Sequence, residues 1–183
     1  MTQTNIIEKL EPLAIEWREK HIPILKIESA KWLLDLVDKV KPKKILELGT
    51  AVGYSGTILG STGGELITID SDENALKTAE STFEKFGTNV QIIHSDASEA
   101  LKDMVQLGLF GESFDFIFID HAKAKYQEAY DWCLKLSSRG TIIVIDNIKN
   151  KKCANFLLSV QKDPRIDFEM IEINDGFGYI VVK

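Results

Sequence analysis

"FDFIFIDHAKAKYQEAYDWCLKL", Phe114 to Leu136, decides how the chain is read. Its first part is a short, almost continuous run of aromatic and β-branched residues. Central strands of a parallel sheet have this look, because helices cover them on both faces. Its second part, from about Lys125 to Leu136, spaces apolar residues three and four apart, the period of an amphipathic helix. Between the two stand Asp120, His121, Lys123 and Lys125. A buried strand that stops in ionisable groups sets them at the carboxyl end of a sheet, where open α/β folds bind their ligands.

The same order recurs along the chain. "KILEL" (44–48), "ELITID" (65–70), "VQIIH" (90–94), "FDFIFID" (114–120) and "TIIVID" (141–146) read as strands. Helical spacing fills 72–86 and 125–136. Strand alternating with helix predicts an α/β fold with a mostly parallel sheet and helices on both faces. Ser71 or Asp72 can cap the 72–86 helix and Gly87 can end it. Gly140 is expected where a helix turns into the fifth strand. Two helices, at about 4–20 and 28–40, precede the first strand, with Pro23 of "HIPIL" separating them. After Asn147 comes a short basic helix, "KKCANFLLSV". "DFEMIEI" and "GYIVVK" then flank a hairpin-like "NDG", so the sheet should finish in an antiparallel pair. A single domain of residues 1–183 is expected, with helices in 1–42 and the core in 43–183.

Composition narrows the class. The chain of 183 residues is 44% hydrophobic and 27% charged, which suits one globular core. No apolar run nears the roughly 20 residues of a membrane span, and the start lacks the pattern of a signal peptide. Cys133 and Cys153 make neither a disulfide framework nor zinc spacing, so a cytoplasmic setting is expected. A net charge of −6 argues against non-specific nucleic-acid binding.

"ILELGTAVGYSG" (45–56) joins the first strand to the next helix. Gly49 and Gly53 let the backbone turn tightly beside a ligand, and Ser55 can hydrogen-bond it. Asp70, at the end of the next strand, can accept both hydroxyls of an adenosine ribose. The loop lacks the G-x-G-x-x-G of dinucleotide sites. Glu47, just before it, suits an amine-bearing or cationic ligand such as S-adenosylmethionine better than a pyrophosphate. In "HSDASEAL", Asp96 and Ser98 are candidates for the adenine edge, with helix capping by Ser95 or Asp96 as the alternative.

Asp120 and Asp146 end the fourth and fifth strands. If those strands are neighbours, the two carboxylates lie close and need a positive charge between them. With the amide oxygen of Asn147 they suit a hard cation such as Mg²⁺. Asp120 also counts with the cofactor residues, since its strand end adjoins the glycine loop. Lys123, three residues beyond Asp120, is placed to take a hydroxyl proton.

Taken together, "ILELGTAVGYS", "ITIDSDENAL", "FIFIDHAKAKY" and "TIIVIDNI" resemble the catechol O-methyltransferase-like, cation-dependent S-adenosylmethionine O-methyltransferases, over about residues 20 to 150. "HIPILKIESAKWLLDL" resembles their bacterial and archaeal branch, which includes enzymes methylating 5-hydroxyuridine in tRNA. The resemblance implies a Rossmann-like methyltransferase fold with a seven-stranded sheet whose last strand is antiparallel. It implies Asp120, Asp146 and Asn147 as metal ligands and Lys123 as catalytic base. Glu47, Gly49 and Ser55 become the methionine-binding loop, and Asp70 the ribose acid. It also implies a homodimer. In one respect this chain departs from the catechol enzymes: Gly178 falls where they carry a glutamate for the second hydroxyl. The segment after Asn147 is also short, which should open the acceptor pocket. His121 is read as a structural hydrogen-bonding residue.

The expected reaction is methyl transfer to a hydroxyl of a small phenolic, catechol-like acceptor. Lys123, Lys125, Lys149, Lys151 and Lys152 follow the two strand ends and could instead form a basic rim for tRNA. A non-catalytic adenosine-nucleotide-binding protein and an NAD-dependent dehydrogenase are the readings from other classes.

Overall fold

The computed structural model describes residues 6–109 and 113–183. Fourteen principal elements follow in the order α1 (Ile6–Glu19), α2 (Ile27–Val40), β1 (Lys44–Leu48), α3 (Tyr54–Leu59), β2 (Glu65–Asp70), α4 (Glu73–Phe86), β3 (Val90–His94), α5 (Ala97–Gln106), β4 (Phe114–Ile119), α6 (Tyr126–Lys135), β5 (Ser137–Ile145), α7 (Ala154–Val160), β6 (Ile166–Ile171) and β7 (Phe177–Val182). The strands form one seven-stranded sheet in the order β3-β2-β1-β4-β5-β7-β6. β7 runs antiparallel to both β5 and β6, and the other pairings are parallel. The Rossmann-like fold expected from the motifs is therefore the fold observed.

Burial explains the sequence pattern. β1 and β4 lie in the middle of the sheet, and Leu46, Leu48, Phe116, Ile117, Phe118 and Ile119 are fully buried. One face packs on α1–α4 through Leu10, Leu33, Val37 and Phe83; the other packs on α5–α7 through Leu101, Tyr130 and Phe156. The one exposed residue of β4, Asp115, accepts hydrogen bonds from the Lys43 and Lys44 backbone N–H groups and so fixes the start of β1.

Asp72 is the cap of α4, accepting from the Asn74 and Ala75 N–H groups, and Gly87 ends that helix with a positive φ. The expected start of the first helix at residue 4 lies outside the described residues. That helix continues through Pro12, which has no N–H for the turn behind it. Two other expectations are corrected. β4 stops at Ile119, one residue early. β5 begins at Ser137 rather than Thr141, so Gly140 (φ 90) sits inside it. The register slips there: Phe114 pairs with Ser137 but Phe116 with Ile142. Thr141 closes the bulge, accepting from the Ser138 N–H and donating its hydroxyl to the Phe114 carbonyl.

Strand order reverses between β1 and β4, the topological switch point where the carboxyl ends open into a crevice. Asp120 N donates to Leu48 O and Asp146 N donates to Ile119 O. The ends of β1, β4 and β5 are thereby stepped side by side at the floor of that crevice.

Candidate active site

A cleft of about 380 Å³ opens at this end of the sheet. Its wall carries Gly49, Ser55, Asp70, Asp96, Asp120, Lys123, Asp146 and Asn147 together. Eight of the positions singled out in the sequence thus meet in one place. Glu47, Gly53 and Ser98 are not on the wall.

At one end, β2 delivers Asp70. Its two carboxylate oxygens accept from the Ala51 and Asp72 N–H groups at 2.9 and 3.0 Å. Asp70 therefore braces the glycine loop and keeps lone pairs facing the cleft. Gly49 (φ 101) closes onto β4: a Cβ there would lie 2.2 Å from the Asp120 carbonyl oxygen. Only glycine permits that approach. Gly53 (φ 82) serves packing instead, since a Cβ would meet the Phe83 ring at 3.2 Å.

Glu47 stands behind the wall. It is paired in register with Thr68 of β2, so both side chains share one face of the sheet. Thr68 donates to Oε2 and Ser55 to Oε1, each at 2.6 Å, and the Thr50 hydroxyl lies 2.6 Å from that of Thr68. A Cβ on Gly56 would sit 2.8 Å from Oε2, so α3 seals the carboxyl from above. Burial pushes its pKa up to about 8, against the lowering hydrogen bonds of Ser55 and Thr68. Glu47 is thus off the cleft wall and is joined to it by the hydrogen bond from Ser55.

Asp96 caps α5 by accepting from the Ser98 N–H, and its other oxygen takes the Lys125 ammonium at 2.7 Å. Capping is thus its observed bond, while the residue still lines the cleft. Ser98 turns inward, with its hydroxyl buried and unpartnered.

At the other end, the Lys123 ammonium lies 2.7 Å from Asp120 Oδ1. Asp146 is only 7% exposed. Burial, and then the like charge of Asp120, hold its pKa well above the carboxylate range. β4 and β5 are neighbours in register up to Ile119 and Ile145, which sets the two acids roughly 5 Å apart along the sheet. Asn147 adopts a left-handed φ of 54 directly after Asp146. No cluster of three His, Cys, Asp or Glu occurs among the described residues; the set here is two carboxylates and an amide. Two acids at neighbouring strand ends, one of them paired with Lys123, and an adjacent amide are a donor set that fits a hard divalent cation.

Several residues at the cleft were not picked out in the sequence. Behind the wall, the buried Tyr126 hydroxyl donates to the Asp146 carbonyl at 3.1 Å and braces the end of β5. Lys26 and Ser29, from the start of α2, face Asn174 and Asp175 across the cleft. Pro23 marked that region only as a helix boundary, and pairing across 149 residues leaves no local signal. His121 bonds to the Ala122 backbone and meets the Tyr126 ring edge-on at 5.4 Å, while its Nε2 is buried without a partner. Gly178 lies off the wall, where a Cβ would meet the Phe168 ring at 3.2 Å.

The chain is 37% identical over 125 residues to a catechol O-methyltransferase of Niastella koreensis, an alignment covering 66% of this chain and 56% of that protein. It is 28% identical to a caffeoyl-CoA O-methyltransferase of Stellaria longipes, over 79% of this chain and 70% of that one. The chain thus spans little more than half the length of the first of these relatives. Among solved structures, an O-methyltransferase from Bacillus cereus in complex with SAH superimposes with a TM-score of 0.83 at 27% identity, covering 96% of this chain and 91% of that one. Residues 2–183 match the O-methyltransferase family, and the chain belongs to it.

Proposed function

We propose that this chain transfers the methyl group of S-adenosylmethionine to a hydroxyl oxygen of a small, catechol-like aromatic acceptor, with the help of a divalent cation such as Mg²⁺. One observation carries the reading: a ribose-binding acid, Asp70, and a metal-fitting set, Asp120, Asp146 and Asn147, stand at opposite ends of one cleft with Lys123 on its wall. The names of the catechol and caffeoyl-CoA relatives, and the SAH in the Bacillus cereus structure, support it.

Each residue then has a task. Asp70 accepts the ribose hydroxyls. Ser55, held by Glu47, orients the methionine portion. Asp120, Asp146 and Asn147 would hold the cation, which supplies Lewis-acid stabilisation of an oxyanion. Lys123, once it has given up its own proton to solvent, takes the proton from the acceptor hydroxyl as a free amine, and the freed oxygen attacks the methyl carbon as its bond to sulfur breaks. In the resting cleft the Lys123 ammonium is paired with Asp120. Much of the rate comes from holding the two reactants in near-attack geometry.

Of the rim lysines, Lys123, Lys125 and Lys149 are paired with Asp120, Asp96 and Glu172, and the names of the relatives point to a small acceptor.

Calorimetric titration tests the cofactor directly. S-adenosylmethionine should bind and NAD should not. No heat with S-adenosylmethionine at millimolar concentration, or binding of NAD alone, would overturn the reading.

A further inference from the structure

We propose that Lys26 is the acceptor-recognising residue of this cleft and that it selects an acceptor carrying a carboxylate. The proposal rests on the small-acceptor reading above and names the substrate class within it.

Beyond Asp146 and Asn147, the cleft is closed by the start of α2 and by the turn between β6 and β7. These walls adjoin Asp146 but contribute neither Asp70 nor a residue of the metal-fitting set, so they remain for the acceptor's outer part. Lys26 and Asp175 are the only ionisable side chains they bring to the cleft. Position 178, a glycine packed on Phe168, brings none.

Lys26 Nζ lies 2.9 Å from Asp175 Oδ2, with the two side chains 59% and 58% exposed. An ion pair that wet is weak and exchangeable. Its two halves differ in freedom. The turn bearing Asp175 is pinned: Lys149 N donates to Asp175 O, Gly176 N to Ile173 O, and Asn174 Nδ2 to Ser29 Oγ. Lys26 carries its charge on a flexible four-carbon stem and can follow a ligand. Asp175 thus shows how a carboxylate docks on Lys26, in the place an acceptor's carboxylate would take. Displaced, Asp175 stays hydrated, so the exchange costs little.

Other acids lie near Lys26. Asp146 and Glu28 also act on its ammonium, more weakly than Asp175. Glu28 is exposed and off the cleft wall, and Asp146 belongs to the metal-fitting set. No side chain caps α2, so the positive end of that helix adds to the attraction at the same spot.

The test uses three acceptors that share the two ring hydroxyls and differ in charge: catechol, 3,4-dihydroxybenzoate and 3,4-dihydroxybenzylamine. Binding is measured by calorimetry with SAH and Mg²⁺ present, and methyl transfer is measured separately. The benzoate should bind about tenfold more tightly than catechol, as befits one charge-assisted hydrogen bond. In Lys26→Met that ratio should fall to about one, and in Asp175→Asn it should rise. Equal binding of all three, preference for the amine, or a benzoate preference that survives in Lys26→Met would each overturn the proposal. The two readings fail separately. Methyl transfer without charge preference removes the carboxylate site and keeps the proposed function. Lys26-dependent binding of the benzoate with no methyl transfer keeps the site and removes that function.

Discussion

Glu47 and Lys123 show how single residues divide the work. Lys123 stands on the wall of an open cleft, where its free-amine form can meet an acceptor hydroxyl. Lys123→Met should lower kcat about 10²–10⁴-fold, the span of general-base effects. Cofactor affinity by calorimetry should stay the same; an undiminished kcat would remove Lys123 as the base. Glu47 is sealed, and its pKa near 8 exceeds the ordinary 4.5. A carboxyl whose folded pKa is raised stabilises the fold fully below about pH 4.5. That contribution is lost as pH climbs through 8, at up to about 1.4 kcal/mol per pH unit. Glu47→Gln, which mimics the protonated form, should lose less stability than wild type between pH 5.5 and 8.5 in urea titrations. Parallel losses would show that Glu47 is ionised throughout.

At the scale of elements, the glycine loop ties β1 to β4. Gly49→Ala would drive a Cβ into the Asp120 carbonyl at a φ that alanine resists. A loss of about 2–4 kcal/mol in urea unfolding is expected from such a clash. A change below about 0.5 kcal/mol would mean the loop yields freely. Much of this scale was legible in the sequence. The apolar runs of β1, β2 and β4 announce buried strands because helices cover both their faces, and the residues at their ends therefore fall in the cleft. What stayed hidden depends on contacts between distant residues. The bulge of β5 is set by Thr141 reaching the Phe114 carbonyl, and no local pattern in "SSRGTII" reveals it. Glu47 reads as a ligand-facing acid until the Thr68 register and Gly56 place it beneath α3. Lys26 reads as a helix-flanking lysine until the β6–β7 turn comes round to meet it.

For the whole molecule, the strand order is what joins these parts. Reversal between β1 and β4 opens the crevice, and the parallel neighbours β4 and β5 set Asp120 beside Asp146. Burial first, and the like charge of Asp120 second, raise the pKa of Asp146, and this pair of acids is what the proposed cation would neutralise. No helix among the described residues is long and apolar enough to cross a membrane. Cation-assisted O-methylation in the cleft is tested by transfer of labelled methyl from S-adenosylmethionine to 3,4-dihydroxybenzoate, with Mg²⁺ or with a chelator. Methylated product is expected with Mg²⁺, with its loss in chelator and its loss in Asp146→Ala even when Mg²⁺ is supplied. Full methyl transfer by Asp146→Ala in the presence of chelator would contradict it.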